Sequence, residues 1–330
     1  MTNLNAEEKE IFSKNEKSAI RKSANITGFA FLMLTSVMVF WSIPVKIVVE
    51  LLFQREDILY KYLTDTTIVQ VIQICVSIIA FIFPFIIFSK MAGERISDIA
   101  LFNKPKNKKL VFPVILLGLG MCGFSNAVVS GAGAVLQNFG FNYEVARTEN
   151  PTNIFGIILS FVATAVTPAL VEEFAMRGAV LGTLRKHGEE FAIIASSLMF
   201  GLMHGNLVQI PFAFILGLFL AFAVIKTGTV WTAVIIHFLN NFFSISFEYI
   251  LSNATGSLVW FANIFYVAVL LMFGFVGFYL YYRQGEDTFL VEKKPQILTL
   301  SQKLKTFLTA PLIIISFIIV LLESFFVYKA

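Results

Sequence analysis

The chain has 330 residues, of which 57% are hydrophobic and only 14% are charged, and its mean hydropathy is +0.80. Because soluble domains carry roughly 25% charged residues, this composition excludes an ordinary soluble globular protein and predicts one with several membrane spans. The net charge of +4 is too small to indicate a nucleic acid partner, so the lipid bilayer is the predicted environment.

Apolar stretches near the ~20 residues that a spanning helix needs follow one another along the chain. They predict an all-α fold: a polytopic transmembrane helix bundle of about eight to nine spans, with a core of roughly four helices. The third stretch is rich in glycine (Gly118, Gly120, Gly123, Gly131 and Gly133), which predicts close helix packing or a kink. The nine stretches lie at about 26–52, 67–89, 111–138, 152–176, 189–206, 208–226, 230–250, 258–282 and 308–328.

Four regions are predicted from this order. The first is a cytoplasmic N-terminal segment at 1–25, which is polar and basic. N-terminal transmembrane helices with a basic cytoplasmic loop at 90–109 occupy 26–149. The central core covers 150–250, and C-terminal transmembrane helices cover 251–330.

Lysine and arginine are concentrated in alternate connections. They cluster in 1–25, 90–109, 177–187 and 283–305, whereas the connections at 139–151, 205–208 and 251–257 share one arginine, Arg147. Residues 53–66 are mixed, with Arg55 and Lys61 beside three acidic residues. The positive-inside rule therefore predicts a multi-pass protein of the cell membrane with a cytoplasmic N-terminus, and nine spans would leave the C-terminus outside.

Few ionisable residues fall inside the predicted spans. Glu172, Glu173 and Arg177 follow an uncharged apolar run, and His204 and His237 lie in later spans. A charge near the bilayer centre costs ~2.5–3.5 kcal/mol on insertion scales, so such residues indicate a functional site. These side chains are therefore the first candidates for a shared site.

Helical spacing assigns these groups different positions. Glu173 and Arg177 are four residues apart and can pair on one helix face, while Glu172 is turned about 100° away. His237 and Asn241 repeat the spacing of four. Pro168 precedes Glu172 by four residues, removes a backbone donor, and predicts a bend that opens a polar notch beside the carboxylates.

This set of side chains supports hydrolysis. A carboxylate in an apolar cavity is a stronger base than one in water, so Glu172 can take a proton from a water molecule held by His204. His237 and Asn241 can then donate hydrogen bonds to the oxyanion that forms on a carbonyl group. The alternative is a zinc site with Glu172, His204 and His237 as ligands and a water in the fourth position. The His-Glu-x-x-His zinc signature and the Gly-x-Gly-Asp aspartyl signature do not occur in the sequence.

Three short motifs resemble those of the CAAX protease and bacteriocin-processing family, also called the Abi family. Residues 172–177 read Glu-Glu-Phe-Ala-Met-Arg and resemble its Glu-Glu-x-x-x-Arg motif. Residues 200–204 resemble its Phe-x-x-x-His motif, and residues 237–241 resemble its His-x-x-x-Asn/Asp motif. Each motif alone is weak, but together and in order within one membrane protein they are specific.

The resemblance implies an intramembrane endopeptidase related to the type II CAAX prenyl endopeptidases, with its catalytic core at about 150–250. On the family pattern Glu172 and His204 activate water, and His237 and Asn241 stabilise the oxyanion. Glu173 and Arg177 shape the site. The family has been described both as metalloprotease and as glutamic protease, and we favour the glutamic type without a cofactor over the zinc alternative.

The expected partner is a membrane-associated peptide or protein substrate. The prenylated CAAX proteins of eukaryotes, signalling peptides, bacteriocin precursors and membrane proteins are candidate classes. Two other functions remain open at this point: a non-catalytic family member with an immunity or regulatory role, and a proton-coupled transporter that relays protons through Glu172, His204 and His237. The transporter predicts an internal repeat, which the sequence does not contain.

One conflict stands between the motifs and the predicted spans. A fourth helix that ends at 176 places Arg177 near the cytoplasm, whereas His204 falls near the outer end of the fifth helix. If the motifs form one site, then either the fourth helix extends to about Arg185 or the fifth helix begins deeper in the cytoplasm.

Overall fold

The structure is a computed structural model that describes residues 5–41, 66–138, 151, 153–205, 209–252, 254–285, 291 and 297–329. All regular secondary structure within these ranges is helical. Among the described residues, seven helices are long and apolar enough to cross a membrane, and a bent pair near the C-terminus brings the number to eight if it counts as one span. The predicted all-α, polytopic transmembrane fold is confirmed.

The helices are numbered here in chain order. They are α1 (Ala6–Phe40), α2 (Thr66–Ala92), α3 (Ile96–Ile99), α4 (Lys108–Asn138), α5 (Ile154–His187), α6 (Glu189–Leu202), α7 (Gln209–Thr227), α8 (Val230–Ile250), α9 (Ser257–Arg283), α10 (Leu300–Leu308) and α11 (Pro311–Lys329).

Helix α1 joins the basic N-terminal segment to the first span. It begins with a capping box in which the Asn5 side chain accepts from the Glu8 backbone N–H and the Glu8 carboxylate accepts from the Asn5 N–H. The rest of the first predicted stretch, from residue 42 to residue 52, lies outside the described residues. At the other end of the chain, the ninth predicted stretch falls on α11, which meets α10 at an angle of 68°.

Helix α5 is longer than predicted. The boundary at 176 is wrong, because the helix continues to His187 over 34 residues. The greater length resolves the conflict over depth. Glu172 precedes the α5–α6 turn by about fifteen residues and His204 follows it by a similar number, so at 1.5 Å per residue both lie about 22 Å from that turn.

Helix α6 is shorter than the predicted fifth stretch at 189–206. It has 14 residues, which at 1.5 Å per residue is about 21 Å and falls short of the ~30 Å hydrocarbon core. Glycines with positive φ flank it on both sides, Gly188 at 116° and Gly205 at 63°. Its buried small residues, such as Ala192 and Ala195, pack inside the bundle. The stretch therefore forms a buried helix that does not span the membrane alone.

Helices α4 and α9 pack antiparallel with their backbones in contact. A Cβ atom added to Gly120 would lie 2.3 Å from the Cα atom of Gly274, and one added to Gly277 would lie 2.4 Å from the Leu117 nitrogen. The close packing predicted from the glycine-rich span is thus confirmed in its first half. In its second half, an added Cβ at Gly131 would have no atom of the described residues within 4 Å.

Basic side chains gather at one end of the bundle, which is called the basic end here. Among the described residues, every lysine and arginine except Arg177 and Lys329 belongs to this end. The opposite end is called the distal end. The described parts of the helices begin or end there, at residues 41, 66, 138, 154, 205, 209, 250 and 257. Three contacts tie the connections of the basic end together: Lys186 Nζ to Glu94 Oε1 at 2.7 Å, Lys303 Nζ to Glu16 Oε1 at 3.0 Å, and the Lys106 N–H to the Thr227 carbonyl at 2.9 Å.

Candidate active site

A cavity of about 670 Å³ lies within the bundle and is lined by residues of α2 and of α4 to α9. Four of the six predicted site residues line it: Glu172, His204, His237 and Asn241. The other two, Glu173 and Arg177, are buried directly behind this wall. The three motifs therefore meet in one place.

The backbone of α5 is irregular on both sides of the two glutamates. Val162–Val166 and Phe174–Val180 are π-helical, a widened geometry that is frequent at functional sites. Pro168 has no N–H to donate to the carbonyl four residues earlier, which is that of Thr164. That carbonyl accepts a hydrogen bond from Asn241 Nδ2 at 3.1 Å instead. The irregular backbone predicted upstream of Glu172 is present, and it connects the first and third motifs.

Glu173 is at the centre of a buried charge cluster. Its side chain is fully buried, and its Oε1 atom lies 3.2 Å from Arg177 Nη1 and 2.9 Å from His237 Nδ1. An ionised carboxylate only accepts hydrogen bonds, so the His237 ring donates from Nδ1. Arg177 also donates from Nη2 to the Gly217 carbonyl at 3.4 Å. The predicted pairing of Glu173 with Arg177 is present, and His237 is a second partner that the sequence did not indicate.

Glu172 points to the cavity. Its Oε2 atom is 3.9 Å from His237 Nε2, which is too far for a hydrogen bond. This buried oxygen accepts no hydrogen bond from any part of the chain that the structure describes. The carboxylate of Glu172 therefore keeps an acceptor for a group that enters the cavity.

His204 is oriented by its own helix. Its Nδ1 atom lies 2.9 Å from the carbonyl oxygen of Phe200, so the ring donates from Nδ1 and leaves Nε2 as the second polar atom. The Phe200 ring meets the rings of His204 and His237 edge to face, with centroids 5.2 and 5.8 Å apart. The Arg177 guanidinium carbon lies 4.0 Å from the centroid of the same ring.

Two neighbouring asparagines complete the wall. Asn240 donates from Nδ2 to Asn241 Oδ1 at 2.9 Å, while Asn241 donates to Thr164. An amide NH₂ group has two donors, so one N–H of Asn241 remains for a ligand. Asn240 is buried and orients Asn241, a role that the sequence analysis did not assign.

Comparison with known proteins gives a match that covers the region of the three motifs. The family model described as type II CAAX prenyl endopeptidase Rce1-like matches residues 154–243. The predicted resemblance to the CAAX protease family is confirmed over these residues, and at the level of the family the match supports an intramembrane protease of the CAAX type. The chain matches neither a curated protein nor a solved structure significantly.

The match to the CAAX protease family contains all six predicted site residues but only part of the cavity wall. The opposite wall comes from helices outside 154–243 and carries polar side chains that the sequence analysis missed. Each is an uncharged polar residue within an apolar span, but no spacing in the sequence indicates that they share one wall. They are Gln73, Asn126, Ser130, Asn263 and Tyr266.

The zinc alternative depends on the same side chains. No group of three His, Cys, Asp or Glu residues in the described ranges is arranged to hold a metal ion. Glu172, His204 and His237 therefore do not fit a metal site as they are placed, and no reaction step is derived through a metal.

Proposed function

We propose that this CAAX protease family member is an endopeptidase that hydrolyses a peptide bond of a membrane-associated peptide or protein. One observation carries the proposal: Glu172 of α5, His204 of the turn after α6, and His237 and Asn241 of α8 line a single cavity inside a membrane-spanning bundle. A carboxylate, two imidazoles and an amide provide a base and oxyanion donors without a further cofactor.

The reaction begins with a water molecule between Glu172 and Nε2 of His204. Glu172 takes a proton from this water, and the water oxygen attacks the carbonyl carbon of the substrate. The electron pair of the C=O bond moves to oxygen, and the resulting oxyanion accepts hydrogen bonds from His237 and Asn241. The C–N bond then breaks as the proton passes from Glu172 to the leaving nitrogen, which yields a carboxylic acid and an amine.

Glu173 and Arg177 act behind the reacting groups. The bond from His237 Nδ1 to Glu173 fixes the imidazole ring, so Nε2 is the ring nitrogen that is nearer to Glu172 and the cavity. When Nε2 carries a proton, the ring donates on both sides, and the Glu173 carboxylate balances its charge. Arg177 holds that carboxylate in place from the other side.

The deciding experiment is an assay of the detergent-purified protein with membrane-anchored peptides, both prenylated and unmodified. We expect cleavage by the native protein and none by Glu172→Gln or His204→Ala. Glu248→Gln makes the same chemical change at an exposed position of α8 and serves as the matched control. Cleavage that survives both active-site changes would overturn the assignment, and a native protein that cleaves nothing would favour the non-catalytic alternative.

Chelation tests the choice of a glutamic rather than a metal mechanism. We expect full activity after strict chelation. Loss of activity that zinc restores would reverse the choice and make Glu172, His204 and His237 ligands. The transporter alternative is not favoured by the family assignment.

We also propose that the N-terminus is cytoplasmic and that the protein resides in the cell membrane. The concentration of lysine and arginine at the basic end supports this orientation, because cytoplasmic connections carry an excess of these residues. The catalytic core at 150–250 then begins at the distal end and crosses to the cytoplasm along α5.

A further inference from the structure

Helices α4 and α9 form the cavity wall that faces the proposed catalytic groups. Their antiparallel register is fixed where Gly120 meets Gly274, and it carries Asn126 towards the distal end beside the first turns of α9. Asn126, Asn263 and Tyr266 all line the cavity. Because this wall lies outside the matched region 154–243, it belongs to this chain rather than to the family core.

The wall offers hydrogen-bonding groups that the protein does not use. The buried Tyr266 hydroxyl has no hydrogen-bond partner within the described ranges, while its ring stacks on Phe247 with centroids 4.9 Å apart. Asn263 donates from Nδ2 to the Val259 carbonyl at 2.8 Å, which leaves its Oδ1 as an acceptor. Unsatisfied polar groups inside a membrane are costly, so they indicate a polar ligand or a water-filled space.

The composition of the whole lining favours one class of ligand. Thirteen of the twenty-one lining residues are polar. An isoprenoid chain has no hydrogen-bonding groups and gains little from such a surface, whereas a polypeptide backbone presents one N–H and one C=O per residue. The volume of about 670 Å³ is within the usual range of ligand sites.

We propose that Asn126, Asn263 and Tyr266 form a substrate-binding subsite that hydrogen-bonds an unprenylated polypeptide segment opposite Glu172. This inference rests on the proposed endopeptidase function and names its substrate class. The three residues are positioned to bind and orient the substrate, and they take no part in proton transfer.

The test uses two matched sets of internally quenched dodecapeptides, one unmodified and one with a farnesylated cysteine. Tyr266→Phe removes a single hydroxyl group, and Asn126→Leu replaces an amide by an apolar group of similar size. We expect each variant to raise KM for unmodified peptides about threefold to tenfold, the equivalent of one hydrogen bond, with little change in kcat. Tyr282→Phe, at an exposed position near the basic end of the same helix, is the control and should change nothing.

Binding to Glu172→Gln separates this inference from the proposed chemistry. We expect the unmodified peptides to bind this variant. Adding Tyr266→Phe to it should raise their Kd about threefold to tenfold. The subsite proposal would be overturned if the unmodified peptides did not bind. It would also be overturned if the protein preferred the farnesylated peptides and neither Tyr266→Phe nor Asn126→Leu changed that preference. Cleavage by Glu172→Gln would instead overturn the proposed function and leave the subsite standing.

A second inference follows from the distribution of charge. Glu172 and His204 lie about 22 Å from the α5–α6 turn at the basic end, at 1.5 Å per residue. The cavity continues from there along α8 past Ser244 to Phe247, close to the distal end of that helix. Gln209, the first residue of α7 at the distal end, also lines it.

We infer that the cavity opens to the extracytoplasmic face, since the basic end is the cytoplasmic one by the positive-inside rule. Peptides that are exported, or the outer segments of membrane proteins, then reach the site without crossing the bilayer. The inference is independent of which peptide bond is cut.

Cysteine accessibility tests the side of access. In a background with Cys75→Ser and Cys122→Ala, we expect Ser244→Cys to react with a membrane-impermeant maleimide in right-side-out vesicles and not in inside-out vesicles. Asn103→Cys, in the basic connection, should show the opposite pattern. Labelling of Ser244→Cys only from the inside, or only after denaturation, would overturn the inference.

Discussion

The two walls of the cavity are built by different means. The wall from 154–243 is organised by charge, because Arg177, Glu173 and His237 hold one another through short buried contacts. The wall from α4 and α9 is organised by backbone contact between glycines, and its polar groups are all uncharged. The first, charged wall therefore carries the groups that we propose for hydrolysis, and the second, neutral wall carries those that we propose to bind the substrate chain.

The largest expected effect is on the charged wall. Glu172→Gln keeps the size of the side chain but removes the base, so we expect kcat to fall about 10²–10⁴-fold. The measurement is cleavage of a quenched peptide by purified protein. Glu248→Gln should retain native activity, and equal losses in both variants would contradict the assignment of Glu172.

The buried ion pair provides the next test. Arg177→Met leaves Glu173 without its guanidinium partner, and breaking a buried pair costs about 3–5 kcal/mol, so we expect a marked drop in Tm. Arg185→Met breaks a pair of the same spacing, with Glu189, at a half-exposed position and should cost at most about 1 kcal/mol. Adding Glu173→Gln to Arg177→Met should recover part of the loss in Tm, whereas strictly additive losses would contradict the pairing.

Asn241 tests the link between the oxyanion donors and the irregular helix. Asn241→Ala removes one proposed donor, and we expect kcat to fall about 10²–10³-fold. Asn240→Ala removes the hydrogen bond that orients Asn241, so its effect should be about threefold to tenfold. A larger loss for Asn240→Ala than for Asn241→Ala would reverse the two roles.

The smallest effect is expected at the glycine contact of the neutral wall. Gly120→Ala forces a Cβ atom against the Gly274 backbone, and overpacking of this kind costs about 1–3 kcal/mol. The shift should move Asn126 and Tyr266 and raise KM while kcat is kept. Gly131→Ala, where an added Cβ meets no atom within 4 Å, should leave Tm and KM unchanged, and equal effects at both glycines would show that the contact does not position the wall.

The charged wall was predictable from the sequence and the neutral wall was not. Glu172, Glu173 and Arg177 stand out in an apolar run because ionisable groups there are rare. Asn126 and Asn263 are uncharged and cost less in a membrane, and no spacing relates them, because α4 and α9 are far apart along the chain. Their convergence depends on the contact between Gly120 and Gly274, which is a property of tertiary packing.

Helix lengths were predicted least well. The apolar stretch at 189–206 is long enough for a span, but its helix ends at Leu202, and the chain turns away through Gly205, which has a positive φ. The basic residues Arg185 and Lys186 suggested a loop after 176, whereas both lie within the last turns of α5. Arg185 pairs with Glu189 and Lys186 pairs with Glu94, so protein partners extend the helix beyond its apolar part.

Phe200 contacts side chains of all three motifs. Its ring touches the guanidinium of the first motif, the imidazole of its own motif and the imidazole of the third. Substitutions in different motifs therefore disturb the same neighbour, and their energies will not add. Residues that seem to belong to separate motifs will behave in double-variant cycles as one cooperative unit, and a transplant of any single motif into another helix bundle will lack the support of the other two.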